Sequence, residues 1–259
     1  MSDDLVALNV LVVSDSAPER EAFRIAASQA AAVIDIAEVE RIGDAPPTGH
    51  LLAVGNFDVI LLDSGMPPDG RQALVKAARA AAAKPLIISL GSPELQSNHF
   101  GPERFVIDGL LAKPIQSAEA RALLDACMRA RLPNRVLVVD DSATVRSVIR
   151  KVLQACRYRF EIEEAADSAA ALAQAARHRF DLVLLDRDLP GLDGLATLTH
   201  FLQGHADTKV VMIAATNDSK FVDRARAAGA HDVLYKPFYA SDIDALMNRL
   251  LGLMRAESQ

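Results

Sequence analysis

Short apolar runs that end at polar residues recur along the chain, separated by segments of helical periodicity. Two examples are Leu8–Val13, in which Asn9 is the one polar residue and which is followed by Ser14, and the unbroken run Leu182–Leu185, which stops at Asp186. An unbroken apolar run of this length is typical of a strand buried on both faces of a parallel sheet. Between such runs, apolar residues three and four positions apart predict amphipathic helices. Strands that alternate with helices indicate a parallel α/β sheet with right-handed crossovers.

The second half of the chain contains five strand and helix pairs. Its predicted strands are residues 136–139, 160–165, 182–186, 209–215 and 232–238. A helix follows each strand, and the first helix carries an apolar face formed by Val145, Val148, Ile149 and Val152. The other four helices are predicted over residues 168–178, 194–204, 219–229 and 241–254. This half is therefore predicted to be a (βα)5 unit.

The first half follows the same plan less regularly. Its predicted strands are residues 8–13, 33–37, 57–63, 85–90 and about 105–112. Helices are expected around Phe23 and over residues 71–84 and 117–131. Pro46 and Pro47 break the segment before Leu51–Val54, where only a turn or two is expected. Residues 91–103 lack an apolar stripe and predict a loop or a frayed helix.

The two halves repeat one pattern. The segment FDVILLDSGMPPDG at residues 57–70 resembles FDLVLLDRDLPGLDG at residues 180–194, and each contains one acid at the end of an apolar run. Asp63 and Asp186 both lie 50 residues before a lysine, Lys113 and Lys236. Equal spacing in both copies indicates internal duplication.

Each copy is predicted to be a separate α/β domain. We expect a doubly wound, flavodoxin-like fold with a five-stranded parallel sheet of order 2-1-3-4-5 in each. The predicted domains are residues 1–132 and 133–259. Because the linker between them is only about three residues long, their arrangement should be restricted.

Length and composition narrow the class of protein. The chain has 259 residues, enough for two domains, and a formal net charge of −6 with no basic run, which argues against direct contact with nucleic acid. No apolar run approaches the roughly 20 residues needed to cross a bilayer, and the N-terminus lacks the basic flank of a signal peptide. We therefore expect a cytoplasmic protein with no membrane contact. Cys127 and Cys156 lie in helical patterns and are expected to be buried, reduced thiols.

Acidic residues of the second unit should meet at one edge of its sheet. Asp140 and Asp141 follow the first strand and Asp186 ends the third, and these strands are neighbours in a 2-1-3-4-5 sheet. Three uncompensated carboxylates in one cleft require a cation, and ligands that are all oxygen suit Mg²⁺. Lys236 adds a positive charge suited to a phosphate-like oxyanion. Taken singly, each residue could equally be a solvated or capping group.

With metal and lysine in place, Asp186 could attack a phosphoryl group as a carboxylate nucleophile. The product would be an acyl phosphate on that side chain.

At these motifs the sequence resembles the CheY-like receiver domains of two-component response regulators. The resemblance covers nearly the whole chain twice, through VLVVDDS, DLVLLDRDLPGLDG and LYKPF in the second unit and VLVVSDS, DVILLDSGMPPDG and LLAKPI in the first. It implies that Asp186 accepts phosphate from a histidine kinase or phosphotransfer protein. By the same resemblance, Asp141 would bind Mg²⁺ directly, Asp140 would support it, Asp188 would offer its main-chain carbonyl and Lys236 would contact the phosphoryl oxygens.

The same match assigns roles in the first unit. Asp63 would be the phosphoacceptor there, Asp15 and the main chain of Gly65 would serve the metal, and Lys113 would contact the phosphoryl group. This unit departs from the receiver pattern because Ser14 replaces one acid and Pro67-Pro68 shortens the following loop. We therefore expect a degenerate site that binds Mg²⁺ more weakly.

Both units also depart from the receiver pattern at the residues that usually report phosphorylation. Receivers usually carry Thr or Ser at the end of strand four and an aromatic residue in strand five. The second unit has Ala214 and Val233 at these positions. The first has Leu110 and, by our alignment, Leu90, with Ser89 the alternative after a shift of one residue. Neither unit is expected to use the common switch.

Two other functions are compatible with parts of the pattern. Asp186-Arg187-Asp188 satisfies the Asp-x-Asp of haloacid-dehalogenase-like phosphatases, although that motif usually lies on the first strand of the fold. A receiver-fold adaptor or dimerisation protein without phosphotransfer is the other alternative, and it remains open for the first unit.

No output domain follows the last helix in this sequence. We therefore expect the protein to act by binding a kinase, a downstream protein target or a second copy of itself as a homodimer.

Overall fold

The computed structural model describes residues 7–39, 57–91, 107–190 and 194–253. Within these ranges the chain forms two five-stranded sheets in which every strand pairing is parallel. The expectations for residues 41–54 and 92–103 lie outside the described residues. No helix within the described ranges is both long and apolar enough to cross a membrane.

The first sheet has the strand order 2-1-3-4-5. Its strands are β1 (Leu8–Val13), β2 (Ile34–Val39), β3 (Val59–Asp63), β4 (Leu86–Leu90) and β5 (Gly109–Leu111). The helices described with it are α1 (Ala17–Ser28), α2 (Pro68–Ala80) and α3 (Ser117–Arg131). The predicted fifth strand is thus shorter than expected, and the second begins one residue later and extends to Val39.

The second sheet repeats this order as β7-β6-β8-β9-β10. Its strands are β6 (Asn134–Val139), β7 (Phe160–Ala165), β8 (Leu182–Asp186), β9 (Lys209–Ala214) and β10 (Asp232–Tyr235). Its helices are α4 (Ala143–Ala155), α5 (Ser168–Ala175), α6 (Gly194–Gly204), α7 (Ser219–Ala227) and α8 (Ala240–Leu250). The predicted fold class, with two tandem doubly wound sheets, is confirmed.

The chain divides into two compact units. The second comprises Leu132–Leu250, and the first comprises the residues up to Arg131 together with those after Leu250. Each unit has its own apolar core around its central strands. The domain limits predicted from the sequence, residues 1–132 and 133–259, remain a prediction about which segments fold together.

The central strands β3 and β8 bring a single acid to the edge of each sheet. All five residues of each strand are buried, so only the last position, Asp63 or Asp186, can present a polar group where the strand ends. Val13 is level with Leu62 in the first sheet, and Val139 is level with Leu185 in the second. The residue after β1 or β6 therefore lies level with the terminal acid of the neighbouring strand.

The helix after β6 begins directly behind the acidic pair. The Ser142 hydroxyl accepts a hydrogen bond from the Val145 N–H (3.3 Å) and caps the first turn of α4. The corresponding helix α1 has no side-chain cap at Ser16 and uses Pro18 in its first turn instead. Both turns therefore start a helix immediately beyond the sheet edge.

Both cysteines are free thiols buried in the packed interior, as predicted. Burial raises the pKa of the Cys127 thiol to about 12, with the nearby charge of Asp108 acting in the same direction. A thiol with this pKa stays protonated and unreactive near neutral pH.

If the units fold separately, truncation of a core side chain in one unit should leave the amides of the other unit protected from hydrogen exchange. Leu61 and Leu184 are fully buried in β3 and β8, so replacing either by alanine should cost about 2–5 kcal/mol of folding free energy. Leu184→Ala should raise amide hydrogen exchange in β6, β8 and β9 and leave β1, β3 and β4 unchanged. Leu61→Ala is the matched control and should give the reciprocal pattern. Equal loss of protection in both sheets would contradict separate folding.

Candidate functional site

A lysine joins two buried carboxylates at the edge of the second sheet. Lys236 follows β10, and its Nζ donates hydrogen bonds to Asp140 Oδ2 (2.7 Å) and Asp186 Oδ1 (2.8 Å). The side chains of the two acids are 2% and 9% exposed. The structure therefore brings together Asp140, Asp186 and Lys236, whereas Asp141, the third carboxylate predicted to converge there, is exposed.

Main-chain N–H groups engage the remaining oxygens of the two acids. The Ser142 N–H donates to Asp140 Oδ1 (2.9 Å), and the Asp188 N–H donates to Asp186 Oδ2 (3.3 Å). The side chains of Asp141 and Asp188 are exposed at the mouth of the site. The contact from the Asp188 N–H to Asp186 Oδ2 is long for a hydrogen bond, so this oxygen of Asp186 is only weakly engaged.

Asp186 carries a charge that its surroundings do not fully stabilise. Burial raises the pKa of this carboxyl, the hydrogen bond and charge of Lys236 oppose that rise, and the charge of Asp140 adds to it, so the pKa lies above its usual value. Burial lowers the pKa of Lys236, but hydrogen bonds to Asp140 and Asp186 outweigh it and raise the pKa overall. The lysine is therefore charged, and the pocket still has an excess of negative charge.

An arginine supports the main chain of the acidic pair. Arg146 Nη1 donates to the carbonyl oxygens of Asp140 (2.7 Å) and Asp141 (3.2 Å), while its Nε donates to Glu164 Oε2 (3.1 Å). Arg150 binds the other oxygen of Glu164 at 2.6 Å. The guanidinium of Arg146 thus fixes the loop that carries both acids, and Glu164 orients that guanidinium.

The first unit contains the same support at matching positions. Arg20 Nη1 donates to the Ser14 carbonyl (2.6 Å), and its Nε lies 3.7 Å from Glu38 Oε2. Arg24 binds Glu38 at 2.9 Å. Neither of these arginine contacts was predicted from the sequence. A signal was present, because two arginines four residues apart and the glutamate that pairs with them recur at equal spacing in the two units.

The site of the first unit contains an acid that the sequence analysis did not single out. Lys113 Nζ lies 2.8 Å from Asp63 Oδ1, as expected, and also 2.8 Å from Glu19 Oε1. The Ser14 hydroxyl faces Glu19 Oε2 (2.7 Å) and Asp63 Oδ2 (3.2 Å). Asp15 is exposed, and the Gly65 N–H donates to Asp63 Oδ1 (2.8 Å). No sequence signal indicated this role of Glu19 beyond its position in the first turn of α1, five residues after Ser14.

The two terminal acids differ in the direction of their pKa shifts. Burial acts to raise the pKa of Asp63, but the Lys113 hydrogen bond, the Gly65 N–H, the charge of Lys113 and the Ser14 hydroxyl together lower it. The pKa of Asp186 is raised, as described above. The first unit therefore stabilises the charged form of its terminal carboxylate, whereas in the second unit burial, together with the charge of Asp140, disfavours the charged form of Asp186.

The donor atoms of the second site have the chemistry of a site for a hard cation. Among the residues that the structure describes, no three acidic, histidine or cysteine side chains are grouped to hold a metal ion. Asp140, Asp141 and Asp186 nevertheless offer only oxygen ligands, and these three carboxylates outnumber the single ammonium group of Lys236. An all-oxygen set with excess negative charge fits Mg²⁺.

Comparisons with known proteins agree with this geometry. The profile of the response regulator receiver domain matches residues 136–248. The chain is 33% identical over 122 residues to the chemotaxis protein CheY of Bacillus subtilis (strain 168), covering 47% of this chain and 100% of CheY. The chain belongs to the response regulator receiver family.

The chain matches only part of one longer relative, and it matches nearly the whole of one solved structure. The chain is 39% identical over 108 residues to the protein-glutamate methylesterase/protein-glutamine glutaminase of group 2 operon of Rhodospirillum centenum (strain ATCC 51521 / SW), covering 40% of this chain but only 27% of that protein. A probable two-component system response regulator/GGDEF domain protein superimposes with a TM-score of 0.52 at 21% identity, covering 95% of this chain and 98% of its own. At that identity the likeness shows a shared fold.

The strand pairing corrects the residue assigned to the end of strand four in the first unit. Asp186 pairs with Ile213, and Asp63 pairs with Leu90. The first-unit counterpart of Ala214 is therefore Gly91, and the predicted Leu90 was one residue early. A Cβ on Gly91 would lie 1.8 Å from the Ser64 hydroxyl oxygen, which explains why only glycine fits. Neither receiver unit carries a switch hydroxyl at this position.

The arginine support of the second receiver should contribute to its stability. Arg146→Ala removes a charged donor from the carbonyl of buried Asp140 and should cost about 1–3 kcal/mol. Arg150→Ala, the matched control, removes an ion pair to the same glutamate from a side chain that is 41% exposed, and should cost less than about 1 kcal/mol. Denaturant-dependent hydrogen exchange of β6 and β8 measures both. Equal losses would contradict the assigned role of Arg146.

Proposed function

We propose that the second receiver unit accepts a phosphoryl group on Asp186 from a histidine kinase or phosphotransfer protein in a two-component phosphorelay. The observation that carries this proposal is the buried Asp186 carboxylate at the end of β8, with Lys236 Nζ 2.8 Å from one oxygen. A carboxylate with an adjacent ammonium group has both a nucleophile and a partner for incoming phosphoryl oxygens.

The proposed phosphoryl transfer involves only the phosphorylated imidazole of the donor and the Asp186 carboxylate. An oxygen of Asp186 attacks phosphorus while the bond from phosphorus to the donor imidazole nitrogen breaks. That nitrogen keeps the electron pair, and the product is an acyl phosphate on Asp186. Lys236 then exchanges its contact with the carboxylate for one with a phosphoryl oxygen, a short movement for a flexible point charge.

We propose that Mg²⁺ is the cofactor of this step. Asp140, Asp141 and Asp186, with the main-chain carbonyl of Asp188, are the residues that would hold it. When bound, the ion supplies positive charge that reduces repulsion between the acidic pocket and the incoming phosphoryl group. Arg146 acts through the carbonyls of Asp140 and Asp141, which keeps these ligands at the sheet edge.

We assign a different role to the first unit, that of a receiver-fold adaptor which is weakly phosphorylated or silent. The lowered pKa of Asp63 and the several donors around it support this assignment. The phosphatase alternative has little support, since the Asp188 side chain is 73% exposed and pairs with Arg187 rather than entering the pocket.

The protein would act in the cytoplasm through protein contacts rather than through chemistry of its own. A downstream protein target and a homodimer are the partners we propose, with no direct role for nucleic acid or membrane. Because Ala214 and Val233 cannot operate the usual switch, modification should change domain packing or partner affinity more than the face formed by the fourth helix, fifth strand and fifth helix.

Labelling should distinguish the two acids. In the presence of Mg²⁺ and a radiolabelled acyl-phosphate donor, or a phosphorylated kinase, the wild-type chain should be labelled on Asp186. Asp186→Ala should abolish most of this labelling, because the nucleophile is gone, whereas the matched variant Asp63→Ala should leave it largely intact.

The labelled residue is mapped by mass spectrometry, and a reaction without Mg²⁺ serves as the control. Dominant labelling of Asp63, or labelling that does not depend on Mg²⁺, would count against the proposal.

A further inference from the structure

Glu19 is a buried acid at a position where the second unit has none. It lies in the first turn of α1 and is 8% exposed. By the equal spacing of the two units, Glu19 corresponds to Val145, while Ser14 corresponds to Asp140. The first unit has therefore lost a carboxylate at the end of its first strand and gained one five residues later on the following helix.

The gained carboxylate reaches the same lysine. Lys113 Nζ lies 2.8 Å from both Glu19 Oε1 and Asp63 Oδ1, as Lys236 lies 2.7 and 2.8 Å from Asp140 and Asp186. A helix residue thus makes the contact that a strand-end residue makes in the second unit. The two-acid clamp on the lysine is preserved although its residues have changed.

The first unit adds a contact that the second does not have. The Ser14 hydroxyl lies between the two acids, 2.7 Å from Glu19 and 3.2 Å from Asp63, so Lys113, Glu19, Ser14 and Asp63 form a closed ring of side chains. In the second unit the corresponding oxygens, Asp140 Oδ1 and Asp186 Oδ2, accept hydrogen bonds from the main-chain N–H groups of Ser142 and Asp188. The neutral Ser14 hydroxyl thus occupies the position between the two acids of the first unit.

We propose that Glu19 replaces the missing aspartate and closes the pocket of the first unit, so that this unit holds its receiver conformation without a cation. The inference extends the unequal roles proposed above, but it stands on the contacts of Glu19 whether or not Asp186 accepts phosphate. Glu19 is a positioning residue, because it acts on Asp63 through Lys113 and Ser14.

The inference is tested by removing the carboxylate at position 19 and then placing one at position 14. Glu19→Val leaves Lys113 with one acid and should raise hydrogen exchange about tenfold or more in peptides covering β3 and the segment around Lys113. Ser14→Asp/Glu19→Val recreates the arrangement of the second unit and should restore most of the lost protection. Peptides from β8 serve as the internal reference, and Glu19→Gln, which keeps the shape of the side chain, checks that loss of charge rather than of packing is responsible.

Three outcomes of the exchange measurements would overturn the inference. Unchanged exchange in Glu19→Val would show that this acid does not hold the pocket. Wild-type exchange in Glu19→Gln would show that its charge is not needed. Failure of Ser14→Asp/Glu19→Val to restore protection would show that Glu19 is not the substitute for an aspartate at position 14.

Calorimetric titration with Mg²⁺ alone tests whether the pocket is closed. The wild-type chain should bind one equivalent, and Ser14→Asp/Glu19→Val should bind a second. Absence of that second equivalent would contradict closure by Glu19. Absence of any binding in the wild type would count against Mg²⁺ at Asp186, while the exchange measurements would still decide the role of Glu19.

Discussion

In each unit a single ammonium group holds together two buried carboxylates that would otherwise repel one another. Lys113 and Lys236 reach these acids from the strand at the edge of the sheet, so each contact joins elements that are far apart in sequence. Burial strengthens such a contact and also makes an unpaired charge costly. The strand ends, the loops behind them and the start of the following helix all have to be placed so that this one group is satisfied.

The parts of this arrangement set by strand position could be predicted from the sequence. An apolar run that ends in one acid and a lysine 50 residues later were enough to locate Asp186 and Lys236 at the same edge. Alternating strands and helices were likewise enough for the sheet order. These features depend on the periodicity of apolar residues and on the alternation of strands with helices. Both can be recognised over short stretches of sequence.

The missed parts depend on side-chain reach. Glu19 lies on a helix, and nothing in its periodicity reveals that it extends to Lys113 rather than to solvent. Arg146 and Arg20 donate to main-chain carbonyls, and no sequence pattern within a single unit predicts a contact of this kind. The error of one residue at Leu90 had a different cause, because β4 ends at Leu90 whereas β9 continues to Ala214. Only the pairing of these strands with Asp63 and Asp186 shows which residues correspond.

The fit of Gly91 against Ser64 also limits how the first unit can change over time. A Cβ at position 91 would lie 1.8 Å from the Ser64 hydroxyl oxygen and 2.5 Å from Ser64 Cβ, so serine or threonine at position 91 requires that the side chain of residue 64 be displaced or removed. A hydroxyl side chain at position 91 therefore needs a compensating change at position 64. The two positions are therefore coupled, and a side chain at position 91 is tolerated only together with a change at Ser64.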